Sequence, residues 1–275
     1  MGLGFSAEKS LRIITVDSKQ HAQQLLNMAE KLDFYLEECH DDKRNFMARQ
    51  HMTYSANTVS QEDRVILDTI STIALPRRLT TDLQTVYLVQ LMPTADGGMP
   101  HTRPLDSEGI RKQAIICYSN AGILTDQKTL IHELWHVHQR TFAKEWNSIF
   151  LSLGWTEWMN VLPASLEHSR RYNPDTIDAP LWIYKNKWVP VPIFRDISKP
   201  NVGEIDIWFY DVSNKFHVKN VPSELLSFWP DLPASAYEHP RELTAYLLAD
   251  ASSYPHSPAL QKLVELLGHI ALSTF

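Results

Sequence analysis

The chain has 275 residues, of which 44% are hydrophobic, and this is enough to bury the core of one sizeable domain. Its 26 Lys and Arg residues against 32 Asp and Glu residues give a net charge of −6, which argues against a basic surface for nucleic acid. Only two cysteines are present, Cys39 and Cys117, so a disulfide framework and a thiolate-rich zinc site are both excluded. We expect one domain over residues 1–275.

The N-terminus lacks the charged and then apolar pattern of a signal peptide, and no run of 18 apolar residues could span a bilayer. These patterns predict a soluble, cytoplasmic protein. Residues 1–6 also fit the short motif for N-terminal acylation, which would place a lipid on Gly2. One such chain would anchor the protein only weakly.

The first part of the chain, about residues 1–80, is predicted to be helical. Apolar side chains recur at helical spacing over residues 18–38 and again over residues 61–75, where Pro76 ends the second pattern. Neither segment contains a chemical motif. We interpret both as packing elements or as one wall of a cleft.

Two strands are predicted next, at residues 85–92 and 113–119, because both runs are β-branched, aromatic and apolar. Between them, residues 93–112 are rich in glycine and proline and indicate a long irregular loop. This loop is either the rim or lid of a site or a disordered surface insertion. Residues 85–160 would thus contain strands, the motif helix described below, and a further helix over residues 142–159.

A β-rich lobe is predicted over about residues 165–235. Two hairpin patterns, at residues 181–194 and 204–218, alternate apolar and polar side chains around short turns. Two helices are predicted within residues 236–275, one beginning at Pro240 and one over residues 257–271. The order of elements indicates an α+β fold with the β-rich lobe inserted between two helical parts.

Residues 129–139 contain the pattern H-E-x-x-H, formed by His132, Glu133 and His136. On a helix, residues four apart lie about 40° from each other around the axis, so both histidines can bind one zinc ion. Glu133 lies beside them and can take a proton from water that the metal activates. Asp126 is a suitable N-cap for this helix.

Catalytic zinc needs a third protein ligand, and the metzincin continuation is absent because Gln139 and Phe142 stand where it requires glycine and histidine. Two glutamates are candidates. Glu242 lies in the first turn of the helix that begins at Pro240, with Tyr246 one turn later. The separation of Glu157 from His136 is similar to that in zinc sites whose third ligand lies on a helix soon after the motif helix. His239 is a less favoured alternative.

Residues 132–139 and 239–246 together resemble the gluzincin type of zinc metallopeptidase, whose small members pair an H-E-L-x-H-x-x-Q helix with a later N-P-x-E-x-x-A-Y helix. The resemblance implies a zincin-like fold with a small, mostly antiparallel sheet, whose edge strand lies above the motif helix and pairs with an extended substrate. It also implies one Zn²⁺ held by His132, His136 and Glu242, with Glu133 as general base. Here His239 replaces the usual asparagine.

The expected reaction is hydrolysis of a peptide bond in a peptide or protein substrate. The group that stabilises the oxyanion is predicted among Tyr246, His239, Tyr172 and Arg171, in that order. We expect His138 to be packed or hydrogen-bonded, because it points away from His136. Two other functions fit the same motif, namely hydrolysis of a different amide or ester, and binding by an inactive or gated zincin scaffold.

Overall fold

A computed structural model describes residues 11–40, 43–49, 52–106 and 113–269, which form a mixed α+β structure. Its helices are α1 (Lys19–Asp33), α2 (Tyr35–His40), α3 (Lys43–Arg49), α4 (Gln61–Asp68), α5 (Arg77–Asp82), α6 (Gln127–Thr141), α7 (Ala143–Ser152), α8 (Ala164–Ser169), α9 (Ser223–Leu226), α10 (Pro240–Ala249) and α11 (Pro258–His269). Its strands are β1 (Arg12–Thr15), β2 (Thr85–Gln90), β3 (His101–Pro104), β4 (Gln113–Tyr118), β5 (Trp155–Glu157), β6 (Trp182–Tyr184), β7 (Trp188–Phe194), β8 (Ile205–Asp211) and β9 (Phe216–Val218).

No helix in the described part of the chain combines the length and the apolar character needed to cross a bilayer. The predicted acylation site at Gly2 lies outside the described residues.

The sheet beside the motif helix is mixed, with the strand order β1-β2-β4-β3. The pairs β1–β2 and β2–β4 are parallel and only β3 runs antiparallel, so the predicted mostly antiparallel sheet is wrong for this layer. Parallel neighbours need long crossovers, and helices α1 to α5 supply the one between β1 and β2. The edge strand β3 lies in the segment that was predicted to be an irregular loop. The prediction was wrong there because the four residues of β3 are too few and too polar to indicate a strand.

A second sheet, β5-β6-β7-β8-β9, is antiparallel throughout and confirms the β-rich lobe with its two hairpins. Its first strand, β5, comes from residues predicted to be helical. Helix α7 ends at Ser152, and Gly154 then turns the chain with a φ of 90°, a conformation that an L residue rarely adopts. Glu157 therefore lies on an exposed strand, where it accepts a hydrogen bond from Asn147.

The N-terminal helices are shorter than predicted. Helix α1 stops because Phe34 adopts a left-handed conformation, with φ at 50°, and its side chain is exposed rather than buried. Helix α4 ends at Asp68 and continues only as a short 3₁₀ turn over Thr69–Thr72. Val65 and Ile66 are exposed on it, so apolar spacing there overstated burial.

The largest apolar cluster runs from α4 and β2 through α6 and α7 to the β-rich lobe, α10 and α11. Helix α6 packs against β3, β4 and α10 within it. Seven of the eight tryptophans are buried, at positions 135, 146, 155, 158, 182, 188 and 229. These large rings supply much of the buried apolar surface.

The edge strand is held to α1 by a buried guanidinium. Arg103 donates from Nε and Nη2 to the two carboxylate oxygens of Asp33, at 2.6 Å each, and from Nη2 to Glu30 at 2.8 Å. Its Nη1 donates to the hydroxyl of Tyr54 at 3.0 Å. These contacts position β3, and with it the rim of the cavity described below.

Replacing Arg103 with Met should lower the free energy of unfolding by about 3–5 kcal/mol, because the Asp33 carboxylate would stay buried without its partner. The measurement is chemical denaturation followed by fluorescence. The matched control is Arg195→Met, which removes an exposed ion pair with Asp206 and should cost less than about 1 kcal/mol. Equal losses for the two variants would contradict this role of Arg103.

Candidate metal centre

The motif helix α6 begins where predicted. Asp126 is its N-cap, and the carboxylate accepts a hydrogen bond from the backbone N–H of Thr129 at 2.9 Å. His132 and His136 lie on the same face of the helix, with ring centroids 4.5 Å apart. His136 is fully buried and His132 reaches into a cavity of about 490 Å³.

The second half of the site is the start of α10. Pro240 occupies the first helical turn, and the ring Nδ1 of His239 accepts a hydrogen bond from the N–H of Arg241 at 3.1 Å, which caps the helix. Glu242 is in the first turn and faces α6, because α10 packs against that helix.

The ligand atoms of His132, His136 and Glu242 form a compact triangle. The two Nε2 atoms lie 2.9 Å apart. Oε2 of Glu242 lies 3.3 Å from Nε2 of His132, and Oε1 of Glu242 lies 3.5 Å from Nε2 of His136. Zinc binds nitrogen and oxygen at about 2.0–2.2 Å, which separates tetrahedral ligand atoms by about 3.4 Å. The donor set and its spacing therefore fit one zinc ion, and Glu242, unlike Glu157, belongs to the group.

Gln139 determines which nitrogen of His136 is available. Its amide Nε2 donates to Arg241 O at 3.0 Å and to the Thr244 hydroxyl at 2.9 Å, so its Oε1 faces the His136 ring. Because that oxygen can only accept, Nδ1 of His136 carries the hydrogen across the 2.9 Å contact. Nε2 is then the nitrogen directed at the triangle, and it must be free of its proton to bind a metal.

Charge is concentrated at this triangle. Burial lowers the pKa of His136, but the adjacent Glu242 carboxylate outweighs it and raises the pKa to about 9. For Glu242, burial raises the pKa, yet the two histidines hold it well below its ordinary value. Without a metal the cluster thus retains a proton next to a carboxylate, and a divalent cation would take the place of that proton.

Glu133 is buried at the same cavity, with 3% of its surface exposed. Its Oε2 makes no hydrogen bond to any described residue. Burial, followed by the charge of Asp175, raises the pKa of this carboxyl well above its ordinary value. A buried carboxyl with an unused oxygen and a raised pKa is suited to exchange protons with water or substrate.

Tyr246 lies one turn after Glu242, with its ring edge against that of His132 at 4.5 Å between centroids. Its hydroxyl is 3.4 Å from the Ser235 hydroxyl and lines the cavity. Burial raises its pKa, so the hydroxyl stays protonated and able to donate. Of the four predicted oxyanion candidates, Tyr246 and Arg171 line this cavity.

A network that the sequence did not predict surrounds the triangle. Asn173 donates from Nδ2 to Glu242 at 2.9 Å and also to Glu238, while Arg171 donates to Glu238 at 2.7 Å. Burial raises the pKa of Glu238 to about 7, although Arg171 opposes the shift. Asp175 completes this wall of the cavity. Residues 173–175 carried only a turn signature, so no local pattern marked them as part of the site.

The other histidines and tyrosine considered from the sequence make their contacts outside the cavity. The second ring nitrogen of His239 is 3.3 Å from Pro180 O, so both nitrogens serve the cap and its surroundings. The hydroxyl of Tyr172 donates to Glu167 at 3.3 Å, away from the cavity. His138 is buried between Asp82 and Trp146, at 3.0 and 2.9 Å, which confirms its predicted packing role.

Comparisons with protein-family models, with curated proteins and with solved structures found no match to this chain.

Replacing Gln139 with Leu should weaken zinc affinity by about 10–100-fold, because His136 would lose the acceptor that fixes its tautomer and ring orientation. Competition with a chromophoric chelator measures the affinity. Gln127→Leu, at an exposed position of the same helix, is the matched control and should bind zinc as the unmodified chain does. Equal affinities for both variants would rule out this function of Gln139.

The stability of the metal-free chain should fall below pH 6.5 because of His239. Burial lowers the pKa of His239 to about 3, against about 6.5 in an unfolded chain, so between these values only the unfolded state takes up the proton. The contribution of His239 to stability is therefore complete above pH 6.5 and decreases by about 1 kcal/mol per pH unit as the pH falls towards 3.

The variant His239→Asn keeps a capping side chain but cannot titrate, so its stability should decline less over this interval. Denaturant unfolding at several pH values, with chelator present, measures the difference. His256→Asn, at an exposed histidine, should follow the unmodified chain. Parallel curves for His239→Asn and the unmodified chain would show that His239 takes no part.

Proposed function

We propose that the chain is a zinc-dependent peptidase. The observation that supports this most directly is the triangle of His132, His136 and Glu242 beside the unpartnered Oε2 of Glu133. Three protein ligands leave one coordination position of a zinc ion for water or substrate, which is the arrangement of a catalytic rather than a structural site. Bound zinc would acidify a water molecule and polarise the scissile carbonyl.

Glu133 is assigned as general base and then general acid. Its buried carboxylate accepts the proton of the attacking water and passes it to the leaving amine, and its raised pKa suits both steps. Tyr246 is assigned as the donor to the developing oxyanion, since its hydroxyl is protonated and lines the cavity beside His132. Arg171 is less suited, because its guanidinium is already paired with Glu238.

The same constellation would serve hydrolysis of another amide or an ester, since water activation does not depend on the substrate. The cavity favours this alternative in one respect. Its volume of about 490 Å³ lies within the range of sites for small molecules. An inactive scaffold is the weaker alternative, because it would have no use for a buried and unpartnered Glu133.

The decisive experiment compares the chain with Glu133→Gln at equal zinc content on a peptide library. We expect one zinc per chain in both and a loss of cleavage of about 10²–10⁴-fold in the variant, because glutamine cannot accept the proton. Cleavage of an amide or ester panel but of no peptide would favour the alternative hydrolase. Equal cleavage by the variant would overturn the assignment of Glu133.

The zinc content of two variants tests which glutamate is the third ligand. Glu242→Ala should lose zinc on dialysis against a weak chelator, whereas Glu157→Ala, which alters an exposed carboxylate on β5, should retain it. Retention by Glu242→Ala together with loss by Glu157→Ala would reverse the assignment.

A further inference from the structure

The outward backbone donors of the edge strand β3 are not available to a pairing strand. The backbone N–H of Thr102 donates to Oδ1 of Asp175 at 2.8 Å, so it points away from β4. Outward donors recur every second residue of a strand, and the neighbours at this interval are Pro100 and Pro104, which have no N–H. The side chain of Asp175 therefore accepts from the one outward backbone donor between residues 100 and 104.

This carboxylate is held as part of the site. Its Oδ1 also accepts from the Thr102 hydroxyl at 2.7 Å, and only 6% of the residue is exposed. Its backbone carbonyl accepts from Arg241 of α10 at 3.2 Å, and the carbonyl of Pro174 accepts from Arg140 of α6 at 2.5 Å. Both helices that supply the candidate zinc ligands thus clamp the segment that closes β3.

An extended polypeptide that adds to a sheet edge gains its affinity from main-chain hydrogen bonds. Here the Thr102 N–H is already used, and Asp175 fills the place where a pairing strand would run. The cavity that remains, of about 490 Å³, is lined by Asp175 and Asn173. It has the size of a small-ligand site.

We propose that Asp175 is a specificity-determining residue that prevents strand addition on β3, so that the site takes short substrates or chain ends and rejects the interior of a long polypeptide. The proposal rests on the proposed zinc hydrolase function. It replaces the sequence-based expectation that an extended substrate pairs with the edge strand.

The first test needs no metal. Hydrogen exchange of the Thr102 amide, followed by NMR, should be slow in the unmodified chain and at least about tenfold faster in Asp175→Ala, since one hydrogen bond protects it. The matched control is Asp175→Asn, whose side-chain oxygen can still accept from Thr102 and should preserve the slow exchange. Equal exchange in the unmodified chain and Asp175→Ala would overturn the proposal.

The second test measures binding of two zinc-directed probes to the zinc-loaded chain. One is the hydroxamate of a single amino acid, and the other is a phosphinic peptide with three residues on each side of the phosphinate. Asp175→Ala should bind the phosphinic peptide about tenfold more tightly relative to the hydroxamate than the unmodified chain does. Asp175→Asn should match the unmodified chain, because its side-chain oxygen can still accept from the Thr102 N–H.

An unchanged ratio of affinities in Asp175→Ala, or the same gain in Asp175→Asn, would overturn the assignment of Asp175. These outcomes are separate from failure of the proposed function. If the probes bind with the expected ratio but the chain cleaves no substrate, the hydrolase proposal fails and the closure of β3 stands.

Discussion

The side chain of Gln139 joins the two halves of the candidate site. It orients His136 on α6 through one amide atom and holds the start of α10 through the other, at Arg241 and Thr244. This connection matters because Glu242 reaches the histidines only if α10 lies at the correct height along α6. A single neutral amide thus sets both the tautomer of one candidate ligand and the position of another, within an interior where unpaired polar atoms are costly.

The rest of the site consists largely of buried carboxylates around the junction of α6 and α10. Glu133, Asp175, Glu238 and Glu242 line one cavity, and all four are buried. Three of them are stabilised by fixed donors, from Thr102, Arg171, Asn173 and the two histidines, whereas Oε2 of Glu133 has no donor among the described residues. The difference separates carboxylates that hold the structure from the one that we propose for proton transfer.

Prediction from the sequence was most accurate where a local rule acts alone. The cap at Asp126, the spacing of His132 and His136, and the helix start at Pro240 depend on neighbours within one helical turn, and all three appear in the structure. The hairpins of the β-rich lobe were also predictable, because alternation and turn residues are local. The strand β5 was not, because it depends on pairing with β6. The left-handed conformation of the exposed Phe34 was not predictable either, because glycine or asparagine usually occupies such a position.

By itself, the sequence determined a helix with two histidines and a glutamate on one side, and a later helix able to present a carboxylate. It favoured Glu242 over Glu157 but could not show which of them lies beside the histidines, because that depends on packing across more than a hundred residues. It also could not reveal that Asp175 accepts from the Thr102 N–H of the edge strand, since a side chain bonded to the backbone 73 residues away leaves no periodic pattern. Tertiary structure decided these points because burial and hydrogen-bond satisfaction act between elements, not along the chain.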